Sequence, residues 1–268
     1  MKSGLKIAVS GKGGVGKTTV CAVWAHLFAK EGLEVLVIDA DSDPNLACAL
    51  GIPAENTPEP LIKMKELIHK RTGAKPGAVG QYFKLNPKVS DLPERYSYEL
   101  EGLKLLSLGG IENAGSGCAC PEGAFLKSLL SYVILQRQEV ILVDLAAGLE
   151  FMGRACVKGV DVLVAVVEPG ARSIETARNI AIMATEMGIR HVGVFINKVT
   201  DPGQIDIIKS QLDNITVLGS FKYDPSLQAA DLERTAVSNA STELVEELKK
   251  AKEVMMNLFL KNCIHNSS

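Results

Sequence analysis

The chain reads as a single α/β domain with a mostly parallel, doubly wound sheet flanked by helices. Three observations predict this. The apolar segments are short continuous runs, not alternating ones, as strands covered on both faces require. Helical patterns separate most of these runs. The length of 268 residues, with 47% hydrophobic and 22% charged, suits one large core of ordinary globular composition.

The elements follow in order. Leu5 to Val9 is the first apolar run; a glycine-rich turn and a helix from Lys17 to about Lys30 follow, stopped by Gly32. Further strands are expected at Glu34–Ile38, Leu103–Leu108, Val140–Val143, Val162–Val167, Val192–Ile196 and Thr216–Phe221. Helices are expected near Gly123–Gln136, Leu149–Gly159, Ser173–Met187, Gln204–Leu212 and Ser241–Leu260. Residues 52–100 break the rhythm: six of the eleven prolines fall there, and Leu61–Arg71 is its one convincing helix. We expect an insertion lying over the ligand-bearing edge of the sheet, within one domain of residues 1–268 that ends in the C-terminal helix and tail, 241–268.

The net charge of −2 gives no strong field toward nucleic acid or anionic lipid, so neither is expected as a partner. Met1 to Lys6 lacks the apolar stretch of a signal peptide, and no apolar run is long enough to span a bilayer. A cytoplasmic location is expected, where the six cysteines stay reduced. Cys21, Cys48 and Cys156 sit among small or apolar residues and read as packing. His26, His69, His191 and His265 are scattered and form no ligand set.

The segment Gly11-Lys12-Gly13-Gly14-Val15-Gly16-Lys17-Thr18-Thr19 fits G-x-x-x-x-G-K-[ST] between a strand and a helix. Glycines let backbone N–H groups turn toward a pyrophosphate, and the helix N-terminus adds partial positive charge. Gly13 to Thr19 should cradle ATP or ADP, with Lys17 on the β- and γ-phosphates and Thr18 on Mg²⁺. Asp39, Asp41 and Asp43 end the second strand; three acids beside phosphates imply a cation or a polarised water, and Asp39 and Asp43 are assigned to Mg²⁺ or its water shell. Asp144 ends another apolar strand and should hold a metal-bound water, with Gly148 close to the γ-phosphate.

Lys12 is not required by the general motif. The GKGGVGKTT form is that of the nitrogenase iron protein and of the septum-placement and plasmid-partition ATPases, and the chain resembles that class. The resemblance implies a homodimer in which Lys12 crosses to the partner's nucleotide, and it makes Asp41 the water-orienting carboxylate. It also implies that Asn197 and Lys198 lie on the adenine side and that the loop through Asp224 and Pro225 closes over the base.

Cys118 and Cys120 lie in Gly117-Cys118-Ala119-Cys120-Pro121-Glu122. At i, i+2 in an extended segment both side chains face one way, so one chain offers two thiolates, half of a four-sulfur site, and a two-fold axis supplies the other half. From this segment through Asp144–Arg154 to Val167-Glu168-Pro169 the chain is similar to the nickel-insertion ATPases that serve carbon monoxide dehydrogenase and acetyl-CoA synthase. That implies an ATP-dependent metallochaperone holding Ni²⁺ or Zn²⁺ between subunits, with one of those enzymes as client. Ala146 and Phe151 depart from the acidic residue and histidine of the carbon monoxide dehydrogenase branch and lean toward acetyl-CoA synthase. Two alternatives stand beside it: an iron–sulfur electron-transfer ATPase, in which Cys156 would supply a ligand, and a partition or positioning ATPase, whose membrane form needs a basic amphipathic C-terminal helix.

Overall fold

The computed structural model describes residues 4–77, 81–110, 120–146 and 159–265. Its strands are β1 (Lys6–Gly11), β2 (Val35–Ala40), β3 (Tyr98–Leu100), β4 (Leu103–Ser107), β5 (Val140–Leu145), β6 (Val162–Val167), β7 (His191–Val199) and β8 (Thr216–Lys222). They form one sheet in the order β3-β4-β2-β5-β1-β6-β7-β8. All neighbours are parallel except β3, which runs antiparallel to β4 at one edge.

Alternate residues of each central strand feed two cores. Leu36 and Ile38 of β2 and Ile141 and Val143 of β5 face one; Val35 and Val37, with Val140 and Leu142, face the other. Because both faces are dry, these strands read as unbroken apolar runs. The first core is covered by α5 (Pro121–Gln136) and α6 (Ala171–Met187), the second by α1 (Lys17–Lys30) and the C-terminal helix α10 (Thr242–His265).

On α1, Val20, Trp24 and Phe28 recur every four residues and are buried. The Trp24 indole N–H donates to the Leu248 carbonyl at 2.9 Å, tying α1 to α10. Leu244, Leu248, Ala251 and Met255 of α10 are buried in that core, so the apolar stripe of this helix packs on the protein. No helix among the described residues is long and apolar enough to cross a membrane.

Residues 52–100 are stitched to the same body: Leu61, Ile68, Val89 and Leu92 join the first core. The expected helix over Leu61–Arg71 is split. Leu61–Lys63 is a 3₁₀ turn, and α3 covers Lys65–Thr72. The reason is local: the Ile62 N–H bonds the Leu108 carbonyl at the end of β4, and Met64 leaves helical geometry. The short helix α2 (Leu46–Ala49) follows β2, α4 (Leu92–Tyr96) precedes β3, and α7 (Gly203–Gln211), α8 (Ser226–Glu233) and α9 (Val237–Ala240) follow β7 and β8. The helix expected over Leu149–Gly159 lies almost wholly outside the described residues.

β7 continues past its expected end at Ile196 to Val199, through a register shift against β8 and a left-handed backbone at Lys198 (φ 58°). Such an irregularity re-aims side chains at a strand end. Here it turns Asn197 and Lys198 toward the loop after β1.

Candidate nucleotide site

The loop Lys12–Gly16 leaves the carboxyl end of β1, mid-sheet, and opens α1. That helix carries no acidic residue of its own in its first turn to neutralise the partial positive charge of its N-terminus. Gly16 caps it in the left-handed region (φ 101°), and a Cβ there would stand 2.3 Å from Asn197 Nδ2. Asn197 is buried, and Nδ2 donates to the Val15 carbonyl at 2.8 Å. An amide from β7 thus fixes the fold of the loop. Gly13 and Gly14 stand exposed at its tip, Val15 is fully buried, and Thr19 is half-buried on the first turn of α1.

Lys17 is buried; its ammonium donates to the Lys12 carbonyl at 3.4 Å and stands 3.9 Å from Asp41 Oδ2. Thr18 Oγ1 donates to Asp144 Oδ2 at 2.6 Å. Asp144 lies in register beside Val9 of β1 and Asp39 of β2 and is almost wholly buried. Burial, followed by the Asp39 charge, pushes its carboxyl up to about 7. Its other oxygen, Oδ1, is buried with no hydrogen-bond partner among the described residues.

The three aspartates at the carboxyl end of β2 have different surroundings. Asp39 is buried, and its oxygens accept from the backbone N–H groups of Leu46 (2.9 Å) and Asp41 (3.3 Å), which makes it the anchor of the turn into α2. Burial outweighs those bonds and raises its carboxyl to about 7. Asp41 faces Lys17 and accepts from the Asp43 N–H at 3.2 Å, while Asp43 is exposed. Among the described residues, no three His, Cys, Asp or Glu side chains gather into a metal-holding group.

Lys198 donates to the Gly14 carbonyl at 2.5 Å, and Glu168 at the end of β6 lies between Lys198 and Lys12. Glu168 was legible only as part of a motif; its role depends on three strand ends meeting. Asp224 accepts from the Ser226 N–H (2.9 Å) and Oγ (2.7 Å), bonds that hold its carboxyl below the usual range and start α8 at Pro225. The Tyr223 N–H bonds the Val199 carbonyl, so this loop adjoins Asn197 and Lys198.

Cys120 caps α5, with Sγ accepting from the Gly123 N–H at 3.3 Å. Cys118, Gly148, Phe151 and Cys156 lie outside the described residues.

A phosphate loop opening α1 mid-sheet, with Lys17 beside Asp41 and Thr18 bonded to Asp144 on the neighbouring strand, defines an ATP-binding P-loop ATPase. The chain belongs to the CobQ/CobB/MinD/ParA nucleotide binding domain family, which it matches over residues 6–237. It is 44% identical over 229 residues to the carbon monoxide dehydrogenase accessory protein CooC of Rhodospirillum rubrum, covering 85% of this chain and 87% of that one. An uncharacterised ATP-binding protein of Methanocaldococcus jannaschii is 38% identical over 95% of this chain and 98% of its own. Among solved structures, the MinD cell division protein of Aquifex aeolicus shares the fold, with TM-score 0.66 and 22% identity over 94% of this chain and 96% of that chain.

Proposed function

We propose that the protein is an ATP-driven metallochaperone that works as a homodimer and delivers nickel to acetyl-CoA synthase or carbon monoxide dehydrogenase. The observation that carries this reading is the 44% identity to a carbon monoxide dehydrogenase accessory protein, spread over 85% of the chain.

The residues present fit Mg·ATP. The loop leaves no room for a side chain at Gly16, and the unpartnered Asp144 Oδ1 beside the Thr18 hydroxyl is suited to a hydrated cation. Gly13 to Thr19 would bind the phosphates, with Thr18 and Asp144 holding Mg²⁺ and its water. Mg²⁺ bound there would neutralise phosphate charge. Asp41, on the exposed side of Lys17, would orient the attacking water. Lys12 would reach the nucleotide of a second copy and stabilise charge that develops in phosphoryl transfer. Asn197 and Lys198 would flank the base, with Asp224 and Pro225 fixing the loop over it. Asp39, its oxygens engaged by amides, would position the turn that carries Asp41; Asp43 would act through the water shell.

Nickel is cargo in this scheme. Cys118 and Cys120 would supply two thiolates, and the second copy two more; zinc suits the same ligands. Ala146 and Phe151 favour acetyl-CoA synthase as the client. The core-packed α10 leaves its apolar stripe unavailable to a membrane, which argues against the positioning reading.

Reconstituted activation tests the proposal. Nickel-free acetyl-CoA synthase and carbon monoxide dehydrogenase are each incubated with limiting nickel, Mg·ATP and the protein. Activation of one client that needs ATP and fails with Lys17→Ala or Cys118→Ser supports it; activation of neither rejects it.

A further inference from the structure

Glu168 stands at the carboxyl end of β6, between the strand that feeds the phosphate loop and the strand that carries Lys198. Its backbone is fixed by an N–H bond to Ser173 Oγ at 3.1 Å and by Pro169 after it. Each carboxylate oxygen faces a different lysine. Oε1 lies 3.7 Å from Lys12 Nζ and Oε2 lies 3.6 Å from Lys198 Nζ. One anion therefore serves the two exposed cations that flank the phosphate loop. Lys198 is also bound to the Gly14 carbonyl, whereas for Lys12 the side-chain contact described is Glu168 alone.

We propose that Glu168 is a positioning residue that parks Lys12 on its own chain, and that Lys12 must leave it before two ATP-bound copies pair. This rests on the reading that Lys12 reaches a second copy's nucleotide. The separations exceed hydrogen-bond length, and the side chains of Lys12 and Glu168 are 43% and 26% exposed, so the contact is ionic and exchangeable. A triphosphate carries more charge than one carboxylate and can outbid Glu168 for the lysine. A contact of this exposure is worth at most about fivefold in an equilibrium constant, enough to bias pairing without locking the chain as a monomer.

The test is sedimentation equilibrium with a non-hydrolysable ATP analogue and Mg²⁺, comparing wild type with Glu168→Gln, Glu168→Ala and Lys12→Ala. Removing the parking anion from both chains should lower the protein concentration for half-dimerisation by about two- to 25-fold, since each chain of the pair releases one contact of up to about fivefold. Since the parked contact is electrostatic and exposed, that advantage should shrink as ionic strength rises from about 0.05 to about 0.5 M; a merely structural residue would give no such salt dependence. Unchanged or weakened pairing in both Glu168 variants, with pairing lost in Lys12→Ala, overturns the parking role alone. Undiminished pairing in Lys12→Ala overturns the underlying reading instead.

Discussion

Asp39 and Asp144 face each other in register across β2 and β5, two buried carboxyls on neighbouring parallel strands. Burial raises both to about 7 from an ordinary value of 3.8. An acid so shifted holds more protons folded than unfolded between those two values. The nucleotide-free protein should therefore lose stability as pH rises from about 4 to about 7 and level off above that. Denaturant midpoints taken from about pH 5 to about pH 8 check it. Added Mg·ADP should flatten the curve, because a cation beside Asp144 favours the ionised form. A midpoint that climbs with pH in the nucleotide-free protein contradicts the assignment.

Lys17 and Asp41 should separate binding from hydrolysis. Lys17 belongs to the phosphate loop, so Lys17→Ala should weaken nucleotide binding along with turnover. Asp41→Ala should keep ATP bound and hydrolyse it slowly, by roughly a hundredfold or more if the carboxylate acts on the water. Nucleotide affinity by calorimetry and phosphate release measure the two. Normal hydrolysis by Asp41→Ala would mean that another group orients the water.

Gly16 and Asn197 are coupled. Alanine at 16 must adopt a φ of 101° and place Cβ 2.3 Å from Asn197 Nδ2. Gly16→Ala should cost about 1–3 kcal/mol of stability from backbone strain and abolish tight nucleotide binding. In the Asn197→Ala background the steric part of that cost should disappear while the strain remains, a non-additivity that thermal unfolding can read. Strict additivity would show that the amide moves aside freely.

The parallel sheet was legible because its strands are buried on both faces and separated by helical patterns. The parts that escaped reading are those set by contacts distant in sequence. Leu46–Ala49 is four residues long and starts where Asp39, seven residues back, accepts the Leu46 N–H. Tyr98–Leu100 is a three-residue antiparallel edge strand with no apolar run. The phosphate loop, with Lys17, Thr18 and Asp144, was readable from local motifs. Asp39 was not, since nothing in Asp39-Ala40-Asp41-Ser42-Asp43 tells which carboxyl turns inward. Glu168 was visible as a residue but not as a partner of Lys12 and Lys198, which are 156 and 30 positions away.

The shared thiolate site is the central claim, and metal stoichiometry tests it most directly. Reduced protein is titrated with nickel and, separately, zinc, in the presence of Mg·ATP analogue, and native mass is recorded at each step. Two chains that pool Cys118 and Cys120 should saturate at one ion per dimer, and metal should promote pairing. Cys118→Ser or Cys120→Ser should abolish both effects while nucleotide still binds. Saturation at one ion per monomer, or unchanged metal binding by Cys118→Ser, contradicts a site shared between subunits.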